Sequence, residues 1–286
     1  MTTYHPLLRR RLNVFSVPKV SGQRILVTGS DGSIGKRVSE RLADQGAEVH
    51  GFDVNKGYDI TDLTTCMELI HQVRPHTIIH LAAEKYATAA EADPFKVVNL
   101  NAHGTYYLCN TARKFGVKTL VAATTCKSIE PETVYGASKL ISDRIVLNHG
   151  YTVGRFFNVV ESAGNVFEIW RSRVRRRQPL HVTTCRRYFI ALEEAVSFII
   201  HLAGLKPGRY APFPGRPIEM SDMAKRFAPG YPVKLCPPRR GDRVAEPLIG
   251  RHETYRLRGK LMVIDNPHDH PAPPRERSML PTIAHV

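Results

Sequence analysis

Apolar positions along this chain recur with two alternating periods. Residues 24–28 (RILVT), 48–53 (EVHGFD), 77–81, 119–123 and 152–156 are short and largely apolar, as strands buried on both faces are. Between them, residues 36–45, 61–73 and 93–115 place apolar side chains at helical spacing, as does a stretch running through Tyr135 and Lys139 to residue 148. Strands and helices in such succession predict an α/β fold, a doubly wound parallel sheet covered by helices on both faces. After residue 158 the pattern loosens into loops rich in Pro, Gly and Arg, with helices over 193–203 and 221–227, and predicts a small C-terminal substrate-binding lobe. Four regions follow: a basic N-terminal tail (1–22), a dinucleotide-binding domain (23–158), a lobe with returning elements of that domain (159–256) and a Pro-rich C-terminal tail (257–286).

Composition narrows the classes. A chain of 286 residues with 42% hydrophobic content can bury one large core, and no apolar run is long enough to span a bilayer. Arg9, Arg10 and Arg11 interrupt the only apolar N-terminal stretch, so no signal peptide is predicted. The five cysteines are an odd, scattered set with no Cys-x-x-Cys, which predicts neither disulfides nor a metal site and a cytoplasmic location. The net charge of +15 raises nucleic acid as a partner. It is clustered, however, in Arg9–Arg11, in Arg171 to Arg177 and around Arg186, Arg187, Arg239, Arg240 and Arg243, without aromatic interleaving or a nucleic-acid motif, and the later clusters suit a nucleotide diphosphate.

The first strand ends in Thr28-Gly29-Ser-Asp31-Gly32-Ser33-Ile34-Gly35, a Gly-x-x-Gly-x-x-Gly turn opening a helix, which is the Rossmann context for a pyrophosphate on a helix N-terminus. Asp53 ends the second strand, where a carboxylate accepts from the adenosine ribose hydroxyls and repels a 2′-phosphate, so NAD is expected over NADP although Lys56 stands nearby. Asp59 and Ile60 are expected near the adenine. Leu81, Ala82, Ala83 and Lys85 are expected along the phosphate and ribose path. Tyr135 and Lys139, four apart, share a helix face, where an ammonium favours phenolate and fits Tyr135 to take a hydroxyl proton. Thr125 is placed to hydrogen-bond the same hydroxyl.

The blocks VTGSDGSIG, IIHLAAEK, VNLNAHGT, TTCKSIEPETVYGASK, GRFFNVVESAGNV, RRYFIALEEAVSFI and RRGDRVAE together resemble the extended short-chain dehydrogenase/reductases of the polysaccharide-biosynthesis branch, similar to UDP-N-acetylglucosamine 4,6-dehydratases. The resemblance implies a lyase that keeps its NAD bound and recycles it, acts on a UDP-sugar and forms homo-oligomers. Such enzymes oxidise C4 of the sugar, eliminate water across C5 and C6, and return hydride to C6. It also implies that Lys127 is the C5 base, that Asn101 orders the catalytic lysine, and that Lys85, Asn158, Val166, Arg187, Arg239 and Asp242 meet the substrate. Cys126 departs from the family, which has an Asp there as the acid for the C6 hydroxyl. A thiol can donate a proton, whereas Lys127 beside it favours the thiolate, and a cysteine that only packs is the plainer reading. Glu161 replaces a Gly, and Asp242 a Glu. A 5,6-dehydratase, a C4-epimerase, a reductase with exchangeable NADPH and a non-catalytic NAD- or polyanion-binding protein are the alternatives.

Overall fold

The computed structural model describes residues 4–237 and 243–269. Eight strands form the main sheet: β1 (Arg24–Thr28), β2 (Glu48–Phe52), β3 (Thr77–His80), β4 (Thr119–Thr125), β5 (Thr152–Phe156), β6 (Gly208–Pro212), β7 (Thr254–Arg258) and β8 (Leu261–Asp265). Their order is β7-β8-β6-β5-β4-β3-β1-β2. The first six run parallel, while β8 pairs antiparallel with β6 and β7 with β8. Helices α1 (Ser33–Asp44), α2 (Leu63–Val73), α3 (Ala87–Ala92), α4 (Pro94–Val98), α5 (Gly104–Lys114), α6 (Val134–Asn148), α7 (Val166–Arg175), α8 (Leu192–His201) and α9 (Met220–Phe227) complete it.

Each central strand is apolar because both its faces are covered. Val27, Ile79 and Val121 point with Val38, Leu42 and Ile199 into one core, and Leu26, Ile78 and Leu120 point with Ile70, Leu108 and Ala112 into the other. Chain order reverses beside β1, which lies between β2 and β3, and a doubly wound sheet binds its ligand at such a switch point. The expected fold is therefore present. The predicted helix over 93–115 is in fact α4 and α5 joined by a π-helical turn, Asn99–His103.

A third core, built on Phe167, Trp170, Leu180, Val182, Phe189 and Met223, belongs to the lobe. Here both expected tails need correction. Leu8 and Leu12 are buried in this core, and the residue pairs Tyr4–His5 and Arg10–Arg11 form a small antiparallel ribbon. Arg10 ion-pairs with the buried Glu194, and His5 with Glu161, so the N-terminal segment is packed structure. At the other end, β7 and β8 place residues up to 265 in the main sheet because Leu261, Met262 and Ile264 are needed to cover its last parallel strand. The remaining stretch, 270–286, lies outside the described residues. No helix among the described residues is long and apolar enough to cross a membrane.

Candidate active site

One cavity of about 790 Å³ runs from the glycine turn after β1, past the end of β4, to the lobe. Gly29 has φ +67°, and a Cβ there would stand 2.7 Å from the Ala82 nitrogen, so the turn and the chain after β3 approach as only glycine permits. Gly29, Asp31, Gly32, Ser33, Ile34, Gly35, Asp53, Ile60, Leu81, Ala82, Ala83 and Lys85 all line the cavity. Asp53 accepts from the backbone N–H of Asp31 (3.0 Å) and of Asn55 (3.1 Å) and keeps further lone pairs toward the cavity. Lys56, the nearby cation, is paired with Asp31 at 3.0 Å. Asp59 does not line the cavity; it turns to cap Thr61, accepting from its N–H and its hydroxyl at 2.8 Å. An open glycine cradle at a helix N-terminus, a cavity-lining carboxylate just after β2 and an apolar wall fit a nicotinamide dinucleotide.

Thr125, Lys127, Tyr135 and Lys139 meet at the middle of the cavity. Thr125 ends β4, and its hydroxyl caps the following turn by accepting from Lys127 N–H (3.3 Å), which aims the lysine at the cavity. Thr133 caps α6 in the same way, accepting from Gly136 N–H at 3.1 Å, and so presents Tyr135 in the first turn. Burial pushes the Tyr135 phenol up, opposed by the Lys127 charge and a hydrogen bond with Thr125. Lys127 is thus a cation acting on the phenol that the sequence reading did not assign to it. Lys139 donates to the Ala123 carbonyl at 2.8 Å, and burial brings its ammonium down to about 8 against the pull of Asp143.

Asn101 does not line the cavity. It donates to Ser138 Oγ (2.9 Å) and to the Glu84 carbonyl and accepts from Glu84 N–H, tying α6 to the chain after β3 one residue from Lys139. Lys85 donates to the Ala163 carbonyl at 2.6 Å, and Ser33 accepts from Ala163 N–H at 3.2 Å, so the lobe loop is pinned over the glycine turn. Asn158, Val166 and Arg187 line the lobe end of the cavity. Arg239 and Asp242 lie outside the described residues.

Cys126 differs from expectation. It does not line the cavity; its side chain is 1% exposed within the core shared by β4 and α8. The thiol donates to Glu246 Oε2 at 3.5 Å. Burial and the Glu246 charge push it up to about 12 in spite of Lys127, so a thiolate is disfavoured. Sequence reasoning also missed Glu246 itself. Its carboxylate accepts from Lys127 Nζ (2.8 Å) and Asn158 Nδ2 (2.8 Å), with Arg187 Nε at 3.3 Å. The only signal was that Glu246 closes the RRGDRVAE block.

Similarity to known proteins agrees with the fold. The family model for polysaccharide biosynthesis proteins matches residues 52–264. EpsC of Bacillus subtilis (strain 168) is 27% identical over 278 residues, covering 83% of this chain and 46% of EpsC. The inverting UDP-N-acetylglucosamine 4,6-dehydratase of Campylobacter jejuni serotype O:23/36 is 26% identical over 266 residues, covering 82% of this chain and 80% of that enzyme. The chain thus spans less than half of EpsC. Among solved structures, Pen of Bacillus thuringiensis superposes with a TM-score of 0.77 at 19% identity, over 89% of this chain and 91% of Pen. The UDP-glucose 4-epimerase of Thermus thermophilus, solved in complex with NAD, gives 0.70 at 23%, over 78% and 89%.

Proposed function

This chain belongs to the polysaccharide biosynthesis protein family, within the extended short-chain dehydrogenase/reductases, and from that premise we propose that it is an NAD-dependent UDP-sugar 4,6-dehydratase, with UDP-N-acetylglucosamine the first substrate to test. The observation that carries the proposal is that Lys127 faces the cavity beside Thr125, Tyr135 and Lys139, adding a proton-transfer group that C4 oxidation alone does not need. NAD, when bound on the glycine turn, supplies the hydride acceptor and donor. The placement of Asp53 and the pairing of Lys56 with Asp31 support NAD over NADP. Thr125 and Tyr135 hold the C4 hydroxyl, and Tyr135 takes its proton. Lys127 serves the C5 proton, which becomes acidic once C4 is a carbonyl. Asn158 and Arg187 suit the lobe end, where the nucleotide diphosphate is placed.

Incubation with UDP-N-acetylglucosamine in heavy water tests the assignment. Loss of water with deuterium at C5, read by mass spectrometry and proton NMR, is the expected result. No reaction over a panel of nucleotide sugars would sink it. One observation favours C4 epimerisation as the second reading: Cys126, the residue at the family's acid position, is turned away from the cavity, and epimerisation needs only Thr125, Tyr135 and NAD. Inversion at C4 without mass change would identify it. Cys126→Ala is expected to keep turnover within about threefold, because a side chain that packs contributes stability and no proton. A hundredfold loss in a variant that melts like the wild type, on the order of a general acid's contribution, would restore the thiol as the acid.

Exposed apolar side chains on the α4 to α6 face, with Phe95 at 82%, Ile141 at 44% and Tyr106 at 43%, support a second copy of this chain as the partner there. Light scattering of the purified protein reads its mass.

A further inference from the structure

Glu246 reaches the site from the segment after α9, far along the chain from β4, and is 7% exposed. One carboxylate there holds three cavity-lining residues: Lys127 and Asn158 by hydrogen bonds of 2.8 Å each, and Arg187 by an ion pair of 3.3 Å. Oε2, which accepts from Asn158, also accepts from the Cys126 thiol, while Lys127 and Arg187 share Oε1. Lys127 in turn faces Glu246, Cys126, the Tyr135 phenol and Asn158 Oδ1, the last at 3.5 Å. Glu246 is therefore the anion in direct contact with the lysine ammonium. A lysine takes a proton from carbon only through the fraction of its amine that is neutral, so that fraction in Lys127 is the quantity a neighbour would control.

We propose that Glu246 is a positioning residue that fixes both the direction and the protonation of Lys127, and through it the C5 proton step. The proposal rests on the dehydratase reading for the step it governs, but the Lys127–Glu246 coupling can be measured without turnover. Burial by itself favours the neutral amine of Lys127, and the Glu246 charge and hydrogen bond reverse that and hold the ammonium well above its usual range. Burial likewise works to raise the Glu246 carboxyl, and Lys127 and Arg187 hold it below the usual carboxylate range. The two are a salt-bridged pair in which only Lys127 opens to the cavity, with its side chain 36% exposed against 4% for Glu246. When Glu246 is made neutral, burial and the remaining Arg187 charge act together to release the Lys127 proton.

The test is amine-selective labelling of Lys127 across pH, quantified by peptide mass spectrometry in wild type and Glu246→Gln, with C5 deuterium exchange followed over the same range. Wild-type Lys127 is expected to stay protonated and slow to label up to about pH 10.5, the ordinary lysine value. E246Q is expected to bring its midpoint into the measurable range, lower by about one to three pH units, with the rise of C5 exchange moving alongside. A labelling curve unchanged from wild type in a variant that melts normally would overturn the proposal, because a purely structural carboxylate would alter amplitude and leave the curve in place. Glu246→Asp, which draws the carboxylate back by one methylene, guards against a folding defect in E246Q. It is expected to label between the two, and a wild-type curve there also overturns the proposal. If neither wild type nor E246Q exchanges at C5, even at pH values where Lys127 of E246Q labels freely, the dehydratase reading fails and the coupling stands.

Discussion

Tyr135→Phe is expected to lower UDP-sugar turnover by a factor of about 10²–10⁴, the usual contribution of a positioned acid–base group. The substitution removes one oxygen from a side chain whose ring is packed against Ala90 and Val97, so the fold has no reason to change. It leaves Lys127 and Lys139 in place but without the hydroxyl that Thr125 bonds and that must receive the C4 proton. UDP binds at the lobe end in the proposed arrangement, so its affinity, measured by calorimetry, is expected to stay within about twofold, a few tenths of a kcal/mol. The loss should fall in kcat. A variant retaining more than about a tenth of wild-type turnover would remove Tyr135 from the chemistry.

The second large effect concerns stability. Glu253→Leu is expected to cost about 3–5 kcal/mol, read as a lowered urea midpoint at pH 7. Arg155, on β5, makes a bidentate pair with Glu253 at 2.7 and 2.8 Å, and both are buried. Arg209, on β6, lies 3.7 Å from the same carboxylate and pairs with Asp269 at 2.7 Å. Asp143 of α6 stands 3.6 Å from Arg209. Removing the carboxylate that pairs bidentately with Arg155 leaves that buried guanidinium without its direct partner, with Asp143 the remaining nearby charge, and a leucine cannot replace what Glu253 held. The same group predicts an acid limb. Burial alone would raise the Glu253 carboxyl, but the Arg155 hydrogen bonds and charge, with Gly250 N–H and Arg209, bring it down from 4.5 to about 2. Its contribution is therefore complete above the unfolded value and is lost as pH falls from 4.5 toward 2, an effect of about 3 kcal/mol. Wild type should lose stability through that window, and Glu253→Leu should lose less there; parallel curves would refute the assignment.

Sequence pattern was sufficient for β1 to β5 and for the glycine turn, because a strand covered on both faces must be apolar throughout and a dinucleotide turn must lack Cβ atoms, whereas β6 lies in a Pro- and Gly-rich stretch that reads as loop until its pairing with β5 is seen. Tyr135 and Lys139 were legible for the same kind of reason, a helix repeat that joins two chemically complementary groups. The terminal segments were misread since Leu8, Leu12 and the residues of β8 owe their burial to partners far away in the chain, and a run of three arginines looks solvated until Glu194 is seen beneath Arg10. Glu246 was missed because nothing local distinguishes a carboxylate that folds back onto Lys127 from one in water. Position 126 shows the reverse: its identity was conspicuous, but the turn after Thr125 points Lys127 into the cavity and its neighbour into the core.

Leu8 and Leu12 close a lobe whose other walls come from residues 160 to 231. During synthesis these two leucines thus wait for residues made much later before their apolar faces are covered. Neither end of that core can be completed by local collapse, and the loop to be closed spans most of the chain. The lobe is accordingly expected to form late, as one step with the docking of the N-terminal ribbon and not as an independently folding module.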